Sequence, residues 1–135
     1  MKTETKLIHF SEGIELESGE QLNSFDLMVE TYGELNEGKS NAILLCHAFS
    51  GNHHAAGSSE DFGIGWWDQL VGPGKTIDTN KYFIVCCNNL GGCAGSSGPS
   101  SIDPSSQKIF GKSFPQVSVL DWVNSQKMLM DKLHI

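Results

Sequence analysis

Two short, unbroken apolar runs, Ala42-Ile43-Leu44-Leu45-Cys46 and Tyr82-Phe83-Ile84-Val85-Cys86-Cys87, most constrain what this chain can become. Neither alternates with polar residues, so neither suits a strand with one wet face; both suit central strands covered on both sides by helices. Ahead of them, Thr5–Phe10 and Phe25–Tyr32 have strand character, the second with partial period-two alternation and a closing Gly33. They are predicted to form an antiparallel opening pair, joined by a short hairpin crossing over Ile14–Ser24 with its turn at Ser18-Gly19.

Behind the runs, the spacing predicts a helix. Ser118 can cap its first turn, Asp121 lies three residues on, and Val119, Leu120, Trp122, Val123, Leu129, Met130 and Leu133 form a broad apolar face. The segment Gly91–Ser106 is rich in Gly, Ser and Pro and is expected to be a long loop. A βαβ crossover delivers a parallel strand after its helix, and none follows Ile135. The expectation is therefore a truncated α/β domain, with Tyr82–Cys87 left as an exposed edge.

Composition narrows the classes of function. The net charge of −7 comes from residues 1–37, which hold nine acids against Lys2 and Lys6, whereas the remainder balances seven acids with seven lysines. Nonspecific nucleic-acid binding is disfavoured by that balance. There is no arginine, so the chain lacks the planar fork that best grips a carboxylate or phosphate. The start, Met1 to Phe10, has no apolar core of a signal peptide, and no run approaches the ~18 residues of a membrane span. A cytoplasmic protein is expected, and Cys46, Cys86, Cys87 and Cys93 are expected as reduced thiols.

Three places could carry chemistry. The turn His47-Ala48-Phe49-Ser50-Gly51-Asn52-His53-His54 follows the first central strand, where open α/β sheets bind ligands and where one fold class donates an oxyanion-hole amide. Taken alone, these residues favour a plain polar turn with solvent-exposed histidines. Trp66 and Trp67 could wall an apolar pocket, though anchoring a loop to the core is the commoner use. The glycine-dense run from Asn88 to Ser101 lets backbone approach a ligand, but neither Gly74-Lys75-Thr76 nor Gly111-Lys112-Ser113 has phosphate-loop spacing. No metal is expected, because the Cys and His spacings fit no zinc site and the cysteines sit in apolar strands, where they behave as small hydrophobes. Cys93 is the one thiol with a claim to reactivity. No serine has glycines two places before and after it, so the nucleophile elbow is absent.

Taken together, Leu16-Glu17-Ser18-Gly19, Glu30-Thr31-Tyr32-Gly33, the run from Asn41 to Gly51, Gly65-Trp66-Trp67-Asp68 and the run from Gly91 to Ser101 resemble the homoserine O-acetyltransferase family. The resemblance spans almost the whole chain. It implies an α/β-hydrolase fold, with residues 1–135 as the N-terminal portion of a single domain, core strands from about 41 onward, truncated before the nucleophile elbow. It implies transfer of an acyl group from acyl-CoA to the hydroxyl of L-homoserine through an acyl-serine, in methionine biosynthesis, with acyl-CoA as co-substrate, no other cofactor, and a homodimer at full length.

By the same resemblance, the backbone N–H of Phe49 is the oxyanion donor, flanked by Ala48 and Ser50 at the substrate. The nucleophile, base and orienting acid fall on no residue of this sequence, nor does the arginine that grips the substrate carboxylate. The sequence departs from the family at Phe49, where leucine is commoner, and at Ala94, where a larger residue is usual; both bear on pocket volume. Two other readings stay open: a noncatalytic binding or decoy module, and part of a serine hydrolase or esterase on the same fold.

Overall fold

A computed structural model describes residues Met1–Ile135. In chain order its strands are β1 (Thr3–Phe10), β2 (Ile14–Glu15), β3 (Gln21–Leu22), β4 (Phe25–Tyr32), β5 (Ala42–Leu45), β6 (Ser58–Ser59), β7 (Gly63–Ile64), β8 (Val71–Gly72), β9 (Ile77–Asp78) and β10 (Phe83–Cys87). A single 3-10 turn at Gly111–Ser113 and one helix, α1 (Val119–Leu133), complete the chain. The four long strands form one mixed sheet in the order β1-β4-β10-β5. No helix is long and apolar enough to cross a membrane.

The chain divides into two compact units. The first comprises Met1–Lys6, Val29–Cys87 and His134–Ile135. Within it, β10 runs parallel to β5, from Phe83 opposite Ala42 to Cys86 opposite Leu45, and antiparallel to β4, from Ile84 opposite Tyr32 to Cys87 opposite Val29. Gly33 N–H bonds Lys2 O, and Thr31 Oγ1 bonds Glu4 O. Those contacts step in opposite directions along β1 and β4, so the opening pair is antiparallel, as expected. Tyr32, Leu45, Ala55, Ala56, Val71, Ile84 and Cys86 form this unit's core, with Ile43 and Ile77 packed against it.

Two expectations about these strands are corrected. The apolar run at Phe83–Cys87 is not an edge: it lies between β4 and β5, and the outer strands are β1 and β5. Nor are both runs covered by helices. The connection from β5 to β10 contains only the short pairs β6-β7 and β8-β9, and Ala42, Ile43 and Leu44 are half-buried while β10 is buried from Ile84 to Cys87. Within residues 1–135, β5 is the last strand of this sheet and is less buried than β10.

The second unit comprises Leu7–Met28 and Asn88–Leu133. The expected hairpin crossing is present, β2 pairing β3 antiparallel with Ile14 opposite Leu22, and Gly19 takes φ 84° at its turn, a left-handed value glycine adopts without steric cost. Phe10 and Phe25 stack at 4.6 Å with rings 3° apart. The long loop after β10 is tied to β4's first half: Asp26 N–H bonds Ser97 Oγ, Met28 N–H bonds Ser96 Oγ, and Ser97 N–H bonds Asp26 O. Its serines thus supply the acceptors that another strand would otherwise provide.

Helix α1 starts as its sequence predicts. Ser118 N–H bonds Asp121 Oδ2 at 2.8 Å, and Asp121 N–H bonds Ser118 Oγ at 3.3 Å, the reciprocal pattern of a capping box. Of the apolar face, Leu129 is buried, but Val119, Leu120 and Val123 are at least half-exposed, and the other buried residues are Asp121, Ser125 and Gln126. Polar residues turn inward because they have polar work there: Asp121 Oδ1 accepts Glu17 N–H at 2.8 Å, and Gln126 Nε2 bonds Asn89 Oδ1 at 3.0 Å.

Candidate functional site

The turn that follows β5 is the first element of the site. Gly51 N–H donates to Ala48 O at 2.8 Å, closing a four-residue turn with Phe49 and Ser50 at its centre. His47 Nδ1 reaches the same carbonyl at 2.7 Å, so one oxygen fixes both sides of the turn. A Cβ on Gly51 would stand 3.0 Å from His47 Cβ and 3.1 Å from Ala48 O, which leaves little room for any larger residue. Ala48, Phe49 and Ser50 are all exposed, Phe49 to 87%. The turn lies beyond the carboxyl end of a strand in a parallel pair, the usual place for ligands in such sheets.

Further along the same loop, at His54–Ala56, lies a buried polar cluster that local sequence pattern does not reveal. In β4, residues 26, 28, 30 and 32 share one face by strand periodicity, and both Glu30 and Tyr32 are buried there, at 5% and 0% exposure. A buried carboxylate needs partners. Tyr32 Oη donates to Glu30 Oε2 at 2.7 Å and accepts the backbone N–H groups of Ala55 at 2.7 Å and Ala56 at 3.1 Å. His54 Nδ1 lies 2.9 Å from Glu30 Oε2, and its Nε2 lies 3.2 Å from Gly63 O. Burial, reinforced by the adjacent carboxylate, pushes the Tyr32 phenol well above its usual range, so it stays protonated and keeps donating.

The expectation of solvent-exposed histidines is thereby overturned: His47, His53 and His54 are all buried. Their polarity is absorbed by Glu30, 24 residues away from His54, and by loop carbonyls. His53 differs from the other two. Its Nδ1 is buried with no hydrogen-bond partner, its ring meets Phe62 edge-on at 5.2 Å, and burial pushes its imidazole below the usual histidine range.

Trp66 and Trp67 serve partly as each reading anticipated. Trp66 Nε1 bonds Asn52 O at 3.0 Å and Trp67 N–H bonds Ala55 O at 2.8 Å, tying this segment to the turn. Their rings, 5.1 Å apart, nevertheless stay more than one-third exposed and line a groove with Ile64 and Leu70. Gly65 passes so close that a Cβ there would lie 2.3 Å from Ala56 N, which requires glycine.

The cysteines divide. Cys86 and Cys87 are buried in β10, and burial raises both thiols, Cys87 to about 12. Cys93 is exposed in the glycine-rich loop, and so is Cys46, contrary to its expected place inside a strand, because β5 ends at Leu45. No group of three or more His, Cys, Asp or Glu side chains is arranged to hold a metal ion.

The comparisons with known proteins bear on what this arrangement is. No protein-family model matches the chain. It is 61% identical over 132 residues to a homoserine O-succinyltransferase of Hahella chejuensis, and 58% identical over 130 residues to one of Pseudomonas paraeruginosa. Those alignments take in 96% and 95% of this chain but 34% of each relative, so the chain spans about a third of the length of the curated relatives it matches. Among solved structures, it superposes on esterase E22 with a TM-score of 0.88 at 36% identity, covering 99% of this chain and 38% of that one. It superposes equally well on a homoserine O-acetyltransferase from Bacillus anthracis, with a TM-score of 0.88 and 36% identity over 100% of this chain and 38% of that one. These neighbours have the α/β-hydrolase fold, and the chain is homologous along its length to part of the homoserine O-acyltransferases.

Proposed function

We propose that this chain is the front third of a homoserine O-acyltransferase, which moves an acyl group from acyl-CoA to the hydroxyl of L-homoserine through an acyl-serine. The single observation that carries the reading is the 58–61% identity, along nearly the whole chain, to proteins named homoserine O-succinyltransferase. On this reading the reacting side chains belong to polypeptide outside these residues, and the chain supplies scaffold plus one donor.

That donor is the backbone N–H of Phe49, aimed at the negative oxygen that develops when a nucleophile attacks the acyl carbonyl. An amide in a fixed turn costs no reorganisation as charge appears, which is why such donors accelerate acyl transfer. The support here is geometric: the Ala48–Gly51 turn is closed by hydrogen bonds on both sides and stands exposed past a strand end. Ala48 and Ser50 flank the acyl carbonyl, and the exposed Phe49 ring offers an apolar wall to the acyl chain.

The names of the relatives divide between succinyl and acetyl donors. The test is homoserine-dependent release of CoA by the full-length protein, run in parallel with succinyl-CoA and acetyl-CoA. Release that needs homoserine supports the reading and identifies the donor. Ester hydrolysis with no response to homoserine would instead favour an esterase, as in one of the solved neighbours. For the donor itself, proline is tolerated at the second position of such a turn but lacks an N–H. Phe49→Pro should therefore lower kcat by about 100- to 1000-fold, whereas Phe49→Ala keeps the donor and should lose far less. Equal losses in the two variants would remove Phe49 from the oxyanion hole.

A further inference from the structure

Resting on the acyltransferase reading, we propose that Glu30, Tyr32 and His54 are positioning residues for the reaction: together they form a buried clamp that holds the turn carrying the Phe49 amide. None of the three would touch substrate. Each acts through the backbone it fixes.

The clamp begins on a rigid element. Glu30 and Tyr32 sit in β4, which is paired to β10, with Thr31 opposite Val85 and Tyr32 opposite Ile84. From that strand the Tyr32 hydroxyl reaches across to accept two successive amides, Ala55 and Ala56, while donating its own hydrogen bond to Glu30. His54 adds a second tie from the same loop to the same carboxylate oxygen. Both of its ring nitrogens face oxygen atoms, the Glu30 carboxylate and the Gly63 carbonyl. The loop adds its own brace, since Asn52 Oδ1 accepts His54 N–H at 2.8 Å and Asn52 O accepts the Trp66 indole.

The loop between β5 and the clamp is consequently pinned at both ends, at Leu45 by strand pairing and at His54–Ala56 by Tyr32 and Glu30. Phe49 lies in the short stretch between. Stability alone is a poor reason for such a cluster. Burying polar groups gives up hydration that their mutual bonds barely recover, and apolar residues of similar volume commonly do as well. What the polar cluster supplies, and greasy packing does not, is direction: each of its bonds specifies where a particular loop atom must be.

Rate is sensitive to that placement, because misplacing a reacting group by about 1 Å can cost roughly 100-fold. In the full-length protein, Tyr32→Phe removes one oxygen and leaves the ring. It should reduce kcat for acyl transfer by about 10- to 100-fold while KM for homoserine and acyl-CoA stays within about twofold. Glu30→Gln keeps one acceptor oxygen and should fall between wild type and Tyr32→Phe. Amide hydrogen exchange supplies a readout that survives if the variants fold poorly: in wild-type protein the amides of Ala55 and Ala56 should be protected as strongly as those of β10. Fast exchange at those two amides would overturn the clamp, as would variants that melt earlier yet keep kcat within about twofold. A wild-type protein that releases no CoA in response to homoserine would sink the acyltransferase reading instead, which separates the two failures.

Discussion

Truncating Asp121 to alanine tests the energetics most directly. Its carboxylate is fully buried and receives two backbone donors at 2.8 Å, Ser118 N–H within its own helix cap and Glu17 N–H from the β2–β3 hairpin. Bonds to a charged acceptor contribute about 1.5–3 kcal/mol each, and both amides lose that acceptor. Both amides are only part-buried, so water recovers some of the loss. The net cost should be about 3 kcal/mol, or roughly 150-fold in the folding equilibrium. Asp121→Asn keeps an acceptor for one amide but turns an NH₂ toward the other, and should cost about half as much. Ser118→Ala removes only the 3.3 Å return bond of the cap and should cost about 0.5–1 kcal/mol. Urea unfolding of the three variants beside wild type gives the ranking. If Asp121→Ala lies within 0.5 kcal/mol of wild type, the carboxylate is not what joins hairpin to helix.

Two further outcomes follow from the site and the strands. Alkylation of the native protein at neutral pH should modify Cys46 and Cys93 within minutes while Cys86 and Cys87 wait for unfolding, because the latter pair is buried and its thiols are raised; peptide mass mapping that finds Cys86 labelled early would contradict the packing of β10. His53 should make the protein acid-sensitive. Its folded-state imidazole titrates below the ordinary value near 6.5, so the unfolded chain binds the extra proton first; the stability tied to its burial is complete above about pH 6.5 and is lost as pH falls toward the folded value. Glu30, His47 and His54 all act on the His53 ring, so the comparison is with His53→Gln. The melting temperature of that variant should fall less between pH 7 and pH 5 than wild type's, and parallel profiles would show that His53 is not the sensor.

Much of the scaffold was legible because it depends on local pattern. The alternation in Phe25–Tyr32 set that strand's bounds, and the Ser118/Asp121 pair set the start of α1. What escaped was nonlocal. No period tells a reader that Phe83–Cys87 slips between β4 and β5, which moves the open edge from β10 to Ala42–Leu45. The inward side of the helix was legible only in part: Leu129 of the apolar face is buried, but apolar periodicity does not show that Asp121 and Gln126 also point inward to satisfy Glu17 and Asn89. The histidines looked wet for a similar reason: the partner that dries His54 is Glu30, on a strand 24 residues earlier. A signal was present in the pairing of an acid and a tyrosine two apart on one strand face, followed by a histidine doublet, but only the fold brings them together.

The two rims of the sheet are not alike. Along β1, Glu4 and Lys6 pair at 2.9 Å and His9 follows, so an approaching strand would have to strip water from charge. Along β5 the rim reads Ala-Ile-Leu-Leu, with nothing ionised to repel a newcomer. Lateral growth of the sheet is thus polarised: one margin refuses recruits and the other invites them.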